Sequence, residues 1–538
     1  MRLALLSRLA PPIQPSGGVQ GGSVWHSPPA GQSGSRLALL ILALLCVAGP
    51  AAGAPRGTLT IGIPTDVTTL DPTMAPEVNA LNVAGSVLEP LLRLDAQERL
   101  QPLLAESWET VDAVTYVFRL RKGVRFHNGE PLTGRAVESS WRRSQEKHRA
   151  NREAFARVAR IDHLDDHTIR IVTRAPDPLF LERMANAEAA IFPPRYTAER
   201  GDQGVAHRPV GTGPFVLAEW VRGERIVFRA NPAYYLPGVP RVQTLVWRVV
   251  PETASRVAAL RTGQLDIALR LPPHQALPLE REPGLRLSSA LSTRTFYVAF
   301  NNVTTGRGTP VMDARVRLAL NLGVDVEAIV KSLFLGQAER VNSLIGNVQF
   351  GHDPGLPPLP YDPARARALL ADAGHGEGFR IGMACPSGAY PYDREACQAI
   401  AGYLRKLGVE VDLQAMEPNR FWDLQAKRKL PPLFLDGVGD RFQDPDTQLE
   451  GILSPDSPWT AFEKKEFTEL IREAGRSADP AHRKRVYARL ARAMQADPPV
   501  IFLWQAKNFE GVRTRVSGYT TRPSEAMSHV AFDVTVAD

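Results

Sequence analysis

A mixed α/β protein of two or three domains is what this sequence predicts, and three observations carry that expectation. The chain has 538 residues, more than one hydrophobic core serves. Helix and strand patterns interleave from 363 to 438, the order that a mixed sheet with helical crossovers needs. Two stretches, 108–173 and 209–250, alternate apolar and polar residues with period two, as half-buried strands do. Apolar content of 44% and charged content of 22% are those of an ordinary globular protein.

The elements follow in order. Residues 57–63 form a short apolar strand that runs into a polar loop, 64–72, with two turn signals. Residues 79–92 are helical in pattern. Tyr116, Phe118 and Leu120 then alternate with Val117, Arg119 and Arg121, which predicts a strand. Lys122-Gly123 is a turn, Val124 and Phe126 resume the alternation on a returning strand, and Asn128-Gly129 closes it. Pro131 stops the pairing, and Thr133 can cap a helix over 134–149. Strands are expected at 215–220 and 225–229. A helix at 254–263 ends on Gly263, and a short strand follows at 265–269. Beyond 313, helices at 313–322, 325–334, 363–373, 392–407 and 418–428 interleave with strands at 379–384, 409–416 and 432–438. A basic amphipathic helix (483–496) and a buried strand (500–504) follow. The Pro-rich loop 352–360 is short and reads as a rigid connector.

Residues 1–54 do not read as part of this fold. Residues 11–35 are rich in Gly, Pro, Ser and Gln. Arg36 then precedes a twelve-residue apolar run, 37–48, and a small-residue exit ending Ala52-Gly53-Ala54. Twelve apolar residues are too few to span a bilayer and suit a signal peptide, so export is expected. Pro55 disfavours cleavage directly after Ala54, which leaves Ala51 as an alternative. Cys46 follows Leu45, where a lipoprotein signal needs a small residue, so no lipid anchor is expected. Cys385 and Cys397 remain as a disulfide candidate for an oxidising compartment. One ends a strand and the other lies in a helix, so the sequence leaves the bond open.

Charge excludes one class of partner. The net charge is +7, and Arg2, Arg8 and Arg36 of the acid-free leader account for three of those charges. The remaining +4, without a basic stripe, gives no reason to expect nucleic acid. The chain has no H-E-x-x-H, G-x-S-x-G, Walker loop or C-x-x-C, which leaves an enzyme without a candidate nucleophile. His163 and His167 bind metal together only on one helix face, and Asp165-Asp166 instead predicts a hairpin turn between them. No metal site and no cofactor are expected.

Five ordered motifs go further than composition. They are the run L-R-K-G-V-R-F-H-N-G-E-P-L-T (120–133), P-V-G-T-G-P-F (209–215) with N-P-A-Y-Y (231–235), G-Q-L-D-I (263–267), D-A-R-V-R-L-A-L (313–320) and D-P-x-x-R (479–483). Together they resemble the bacterial extracellular solute-binding proteins of family 5, the peptide and nickel type, over residues 57–510. The resemblance implies a two-lobed periplasmic-binding-protein fold, type II-like, with an extra domain inserted in the first lobe. Lobe I would comprise 55–92, 209–290 and 504–538, the insert 93–208, and lobe II 291–503. The implied function is to bind a small solute, a peptide or a related molecule, between the lobes. The protein would act as a periplasmic monomer and deliver that solute to an ABC permease in the inner membrane, without catalysis. A receptor module feeding a sensor, or an enzyme on the same fold, are the alternatives.

The segment Gly437-Val-Gly-Asp-Arg-Phe-Gln-Asp-Pro-Asp446 bears on ligand chemistry. In peptide-binding members an Asp at the end of this strand pairs with the ligand's α-amino group, and Asp440 is the best match. Gly439 and Arg441 flank it, and Thr68 of the 64–72 loop completes the expected ligand-binding set. A solvated acidic turn is the competing reading for Asp440, and the preferred one for Asp444 and Asp446. Asp313-x-Arg315-x-Arg317 reads as a capped helix start.

Overall fold

The computed structural model describes residues 54–74, 77–147, 157–439 and 442–537. The signal-peptide reading, with Cys46, falls outside them, as do Asp440 and Arg441.

One sheet of eleven strands runs through the described chain. Its centre is an antiparallel pair, Leu285–Phe300 and Val500–Arg513. Residues 285–291 lie opposite 513–507, and residues 295–299 lie opposite 505–500, with register shifts between. On one side, Val500–Arg513 pairs with Ile267–Ala268, which joins Arg56–Ile63, Val242–Val249, Arg225–Ala230 and Phe215–Val221. On the other, Leu285–Phe300 pairs with Leu433–Val438, which joins Phe379–Pro386 and Val409–Met416. Both central strands therefore serve both halves of a two-lobed, mixed α/β molecule.

The strand sequence explains the division. Residues 285–291 are half-buried, whereas Phe296 to Phe300 are buried on both faces, as in a sheet covered by helices on each side. Ser292, Thr293, Arg294 and Thr295 are the polar interruption where the strand passes between halves. The second lobe's core joins Tyr297, Phe300, Phe434, Leu490 and Trp504. The first lobe's core joins Leu59, Ile61, Phe228 and Trp247 with Tyr519 and Val534 from the chain's end. A third core belongs to a four-stranded antiparallel sheet, Ala105–Thr110, Thr115–Leu120, Thr168–Thr173 and Val158–Asp165. The helix Gly134–Lys147 covers it, burying Ala136, Val137 and Trp141.

The sequence motifs lock onto one another in the first half. The His127 amide donates to Gly211 O (2.8 Å), and its Nε2 lies 3.0 Å from Gly213 O. The Gly213 amide donates to Val87 O at 2.9 Å, and a Cβ at Gly211 would stand 2.0 Å from that same oxygen. Thr212, Tyr234 and Tyr235 all donate to Glu89, at 2.8, 2.6 and 3.2 Å. Glu89 is buried, and burial raises its pKa to about 7 against those three hydrogen bonds.

Some local expectations need correction. Val124 and Phe126 are buried but form no strand, because the Lys122–Thr133 loop closes through a single bridge, Arg125 to Pro131. Pro131 thus joins the pairing it was expected to end. The first helix spans only Val78–Ala84, and after Pro90 the chain turns into the Leu92–Leu94 strand. Asp313 caps its helix through the Arg315 amide (2.8 Å), as the sequence implies. His163 lies on the strand Val158–Asp165 and His167 in the turn before Thr168–Thr173, and His163 binds Glu138 at 2.8 Å.

Candidate functional site

The place where the chain crosses between lobes collects charge, with Asp436 buried, Arg294 and Glu525 half-buried and Arg270 exposed. Arg294 stands in the polar interruption of Leu285–Phe300, its Nη1 donating to Gly437 O at 2.6 Å. Its guanidinium lies 5.6 Å from the centre of the Tyr390 ring. Tyr390 donates to Asp436 at 2.9 Å, and Gln425 Nε2 donates to the other oxygen of Asp436 at 2.7 Å. Burial, and then the Asp436 carboxylate, push the Tyr390 hydroxyl well above its ordinary pKa, so it stays a donor.

From the first lobe, Arg270 pairs with Glu525 at 2.9 Å. Both hold left-handed backbone, with φ of 53° and 60°. Non-glycine residues rarely adopt it, and it clusters at functional sites. Burial works to raise the Glu525 pKa, but Arg270 and Arg294 outweigh it and hold the carboxylate below its ordinary value. Burial works in turn to lower the Arg294 pKa, and Tyr390, Glu525 and Asp436 outweigh it. The result is a row of alternating charge, Arg270, Glu525, Arg294 and Asp436, that runs from the first lobe into the second.

The loop that carries Tyr390 is clamped. Asp393 accepts from the amides of Gly388, Ala389 and Tyr390 at 2.9, 2.9 and 3.1 Å. Cys385, near the end of its strand, and Cys397, in the helix Asp393–Arg405, are disulfide-bonded with Cα atoms 6.3 Å apart. Tyr392, with φ of 61°, places its hydroxyl 2.7 Å from His274 Nδ1 of the short helix Pro273–Ala276. That bond joins the two lobes.

Of the expected ligand residues, Gly439 is beside this row, since a Cβ there would lie 3.5 Å from Arg294 Cα and Cβ. Thr68 is anchored elsewhere. Its amide donates to Glu77 at 3.0 Å, and its carbonyl accepts from Arg222 at 3.3 Å. Asp444 and Asp446 are not a solvated turn. They are 3% and 0% exposed, and Arg483 binds Asp444 through two bonds of 2.7 and 2.8 Å. Arginines drawn from other elements convert an acidic turn into a buried seam. Sequence reasoning missed Arg294, Glu525, Tyr390 and His274. The run Ser292-Thr-Arg-Thr295 inside an otherwise apolar strand was the available signal for the first.

The comparisons agree with this architecture. The glutathione-binding protein GsiB of Escherichia coli (strain K12) is 26% identical over 481 residues, covering 87% of this chain and 93% of GsiB. The periplasmic binding protein DppA of Helicobacter pylori, solved with the peptide STSA, superposes with a TM-score of 0.78. That match has 23% identity and covers 89% of this chain and 98% of DppA. NikZ of Campylobacter jejuni, solved with Ni(L-His), gives 0.76 at 23% identity, covering 87% and 96%. Likeness at this identity establishes the two-lobed fold. The family described as "Bacterial extracellular solute-binding proteins, family 5 Middle" matches residues 99–459, two-thirds of the chain. The chain therefore belongs to the bacterial extracellular solute-binding proteins of family 5.

Proposed function

We propose that this protein captures a small zwitterionic solute, a short peptide or a peptide-like molecule, between its lobes and delivers it to an ATP-driven permease. The alternating row Arg270–Glu525–Arg294–Asp436 carries this reading. Each charge there is met by an opposite one at the lobe boundary, so a solute bearing both an amine and a carboxylate can exchange into the row. The relatives' ligands, glutathione and the peptide STSA, are molecules of that kind. The lobes, taken as 55–92, 209–290 and 504–538 against 291–503 with 93–208 inserted, would close about the crossing strands. Export through the apolar segment after Arg36 would deliver the protein to the periplasm, where a Cys385–Cys397 disulfide persists. No bond is made or broken in this cycle.

Asp440 is proposed to pair with the solute's amine, beside Gly439 and Arg441. The test is a thermal-shift screen of peptides, glutathione, opines and metal–histidine complexes, followed by calorimetry on Asp440→Asn. Losing one partner of a desolvated pair costs about 2–5 kcal/mol, so a free-amine ligand should bind roughly 30-fold more weakly. An N-acetylated ligand should bind poorly and be indifferent to the substitution. Unchanged affinity for the free amine would make Asp440 a turn residue. Small-angle scattering on the same complexes should show a reduced radius of gyration.

A further inference from the structure

The second place where distant parts of the chain meet lies away from the crossing strands, between the inserted four-stranded layer and the second lobe. Arg157 and Arg183 come from the insert. Asp446 and Glu450 come from the helix Asp446–Leu453, which follows the ligand loop directly. Arg157 Nη2 binds Glu450 at 3.0 Å and lies 3.6 Å from Asp446, while its Nη1 lies 3.6 Å from Asp177. Arg183 binds Asp177 at 3.1 Å and lies 4.0 Å from Asp446, its guanidinium 5.7 Å from the centre of the Phe442 ring. The insert's core is continuous in sequence with the first lobe, through Leu88 to Leu92 and Ala189 to Phe192. The second lobe is joined to the first by the two crossing strands. The ion pairs of Arg157 and Arg183 with Asp446 and Glu450 thus form across a gap between lobes and not along a shared backbone.

The charges in the seam do not balance. Among the described residues, Asp177 and Glu182 of the insert face Asp444, Asp446 and Glu450 of the second lobe. Three guanidiniums answer them, Arg157, Arg183 and Arg483. Tyr487 contributes a neutral hydroxyl, 3.0 Å from Arg483. Glu450 keeps 37% of its side chain exposed to water. Asp177 and Asp444 have close guanidinium partners at 3.1 and 2.7 Å. Asp446 is 0% exposed, and neither of its oxygens makes a hydrogen bond. Gly475 presses against it so closely that a Cβ there would stand 2.6 Å from Asp446 Oδ1, leaving water little room.

We propose that this seam is a closure latch, and that shutting it loads one proton onto Asp446. The proposal rests on the hinge-closing reading above. With the lobes apart, Asp446 faces water and is an ordinary carboxylate. With the lobes together, burial first, then Glu450 and Asp444, raise its pKa to about 7, against the opposing pull of Arg157 and Arg183. Protonation removes one of the two surplus negative charges. The unliganded molecule should therefore close more readily as pH falls from 8 to 6, and ligand binding near pH 7 should take up a proton.

Spin labels report this without knowledge of the ligand. Leu164 is exposed on the insert, and the Lys465 side chain is 89% exposed on the second lobe. Leu164→Cys and Lys465→Cys, in a Cys46→Ser background, can be labelled and their separation measured by pulsed electron resonance. The closed-to-open ratio should be about tenfold higher at pH 6 than at pH 8, from an ordinary carboxylate raised to about 7. Asp446→Asn should hold the closed distance at both pH values, and Arg157→Gln should deplete it at both. A pH-dependent ratio that survives in Asp446→Asn overturns the proposal. So do two distances whose ratio ignores pH and both substitutions, although the hinge itself then stands. One unchanging distance in every variant removes the hinge reading as well.

Discussion

Around Glu89, residues from the motif segments 120–133, 209–215 and 231–235 converge on one carboxylate and one loop. His127 holds the Gly211–Gly213 segment, and Thr212, Tyr234 and Tyr235 hold Glu89. Around Arg294, the partners come from distant stretches that carry no motif, Gly437 on one side and Glu525 on the other, and they form a row of charge instead of a closed knot. The first arrangement fixes one lobe internally. The second lies on the boundary between lobes, where the proposed solute would exchange into the row. The segments that carry the family resemblance here thus hold the scaffold, while the row proposed to meet the solute is built from other stretches.

Three substitutions probe that contrast, in falling order of effect. Gly211→Ala drives a Cβ to 2.0 Å from Val87 O, a backbone atom that cannot yield without shifting the helix end behind it. It should cost about 3 kcal/mol or more of stability, read as a lower denaturant midpoint. Protein that still folds should bind ligand normally; weakened affinity in folded protein would mean that the two regions are coupled.

Glu89→Gln acts through pH. The folded carboxyl holds its proton up to about pH 7, against an ordinary value of 4.5, so its ionisation costs stability above pH 7. That cost fades as pH falls towards 4.5, and its full size is about 3 kcal/mol. Thermal unfolding between pH 5 and 8 should therefore show wild-type stability rising as pH falls, with a shallower rise in Glu89→Gln. Asp446, Glu182 and Glu510, whose pKa values burial also raises, share the slope that remains, so it should become shallower again in the double variant with Asp446→Asn. An unaltered slope in Glu89→Gln would show that the carboxyl ionises normally in place.

Tyr392→Phe is the smallest change and the mirror of the first. It removes the hydroxyl that reaches His274 across the lobes and leaves the ring packed on Phe334. A single hydrogen bond contributes about 1 kcal/mol net, so ligand affinity should fall about fivefold with the midpoint nearly unchanged. Equal affinity in calorimetry would show that this contact does not distinguish open from closed.

Much of the scaffold was legible because its signals are local. The interleaved pattern from 363 to 438 became the strands Phe379–Pro386, Val409–Met416 and Leu433–Val438 with helices between. Asp313 reads as a cap from four residues. The crossing strands were less legible. The expected lobe boundaries at 290 and 504 fall inside continuous strands, because the period-two pattern of a strand does not record that its neighbours change halfway along. Glu525 was invisible for a stronger reason. Nothing near it in sequence predicts left-handed backbone, and its partners Arg270 and Arg294 stand on the far side of the second lobe in chain order. Asp444 and Asp446 looked like turn residues because Arg483 and Arg157, which bury them, belong to other elements, one later in the chain and one in the insert.

The first lobe is finished by the last residues of the chain. Arg56–Ile63 meets the second crossing strand only through the two-residue strand Ile267–Ala268, which pairs with Gly511 and Val512. Asp266 is bound by Arg515 at 2.7 Å, and Asn82 is engaged from both sides by Glu525 and Met527. A chain that emerges N-terminus first must therefore hold its opening strand and helix incomplete until nearly everything else has appeared. The second lobe's core, drawn from 296 to 504, is available sooner. For the export proposed above, late assembly of the first lobe would keep the chain extended and threadable through a translocation channel, with native structure deferred to the far side.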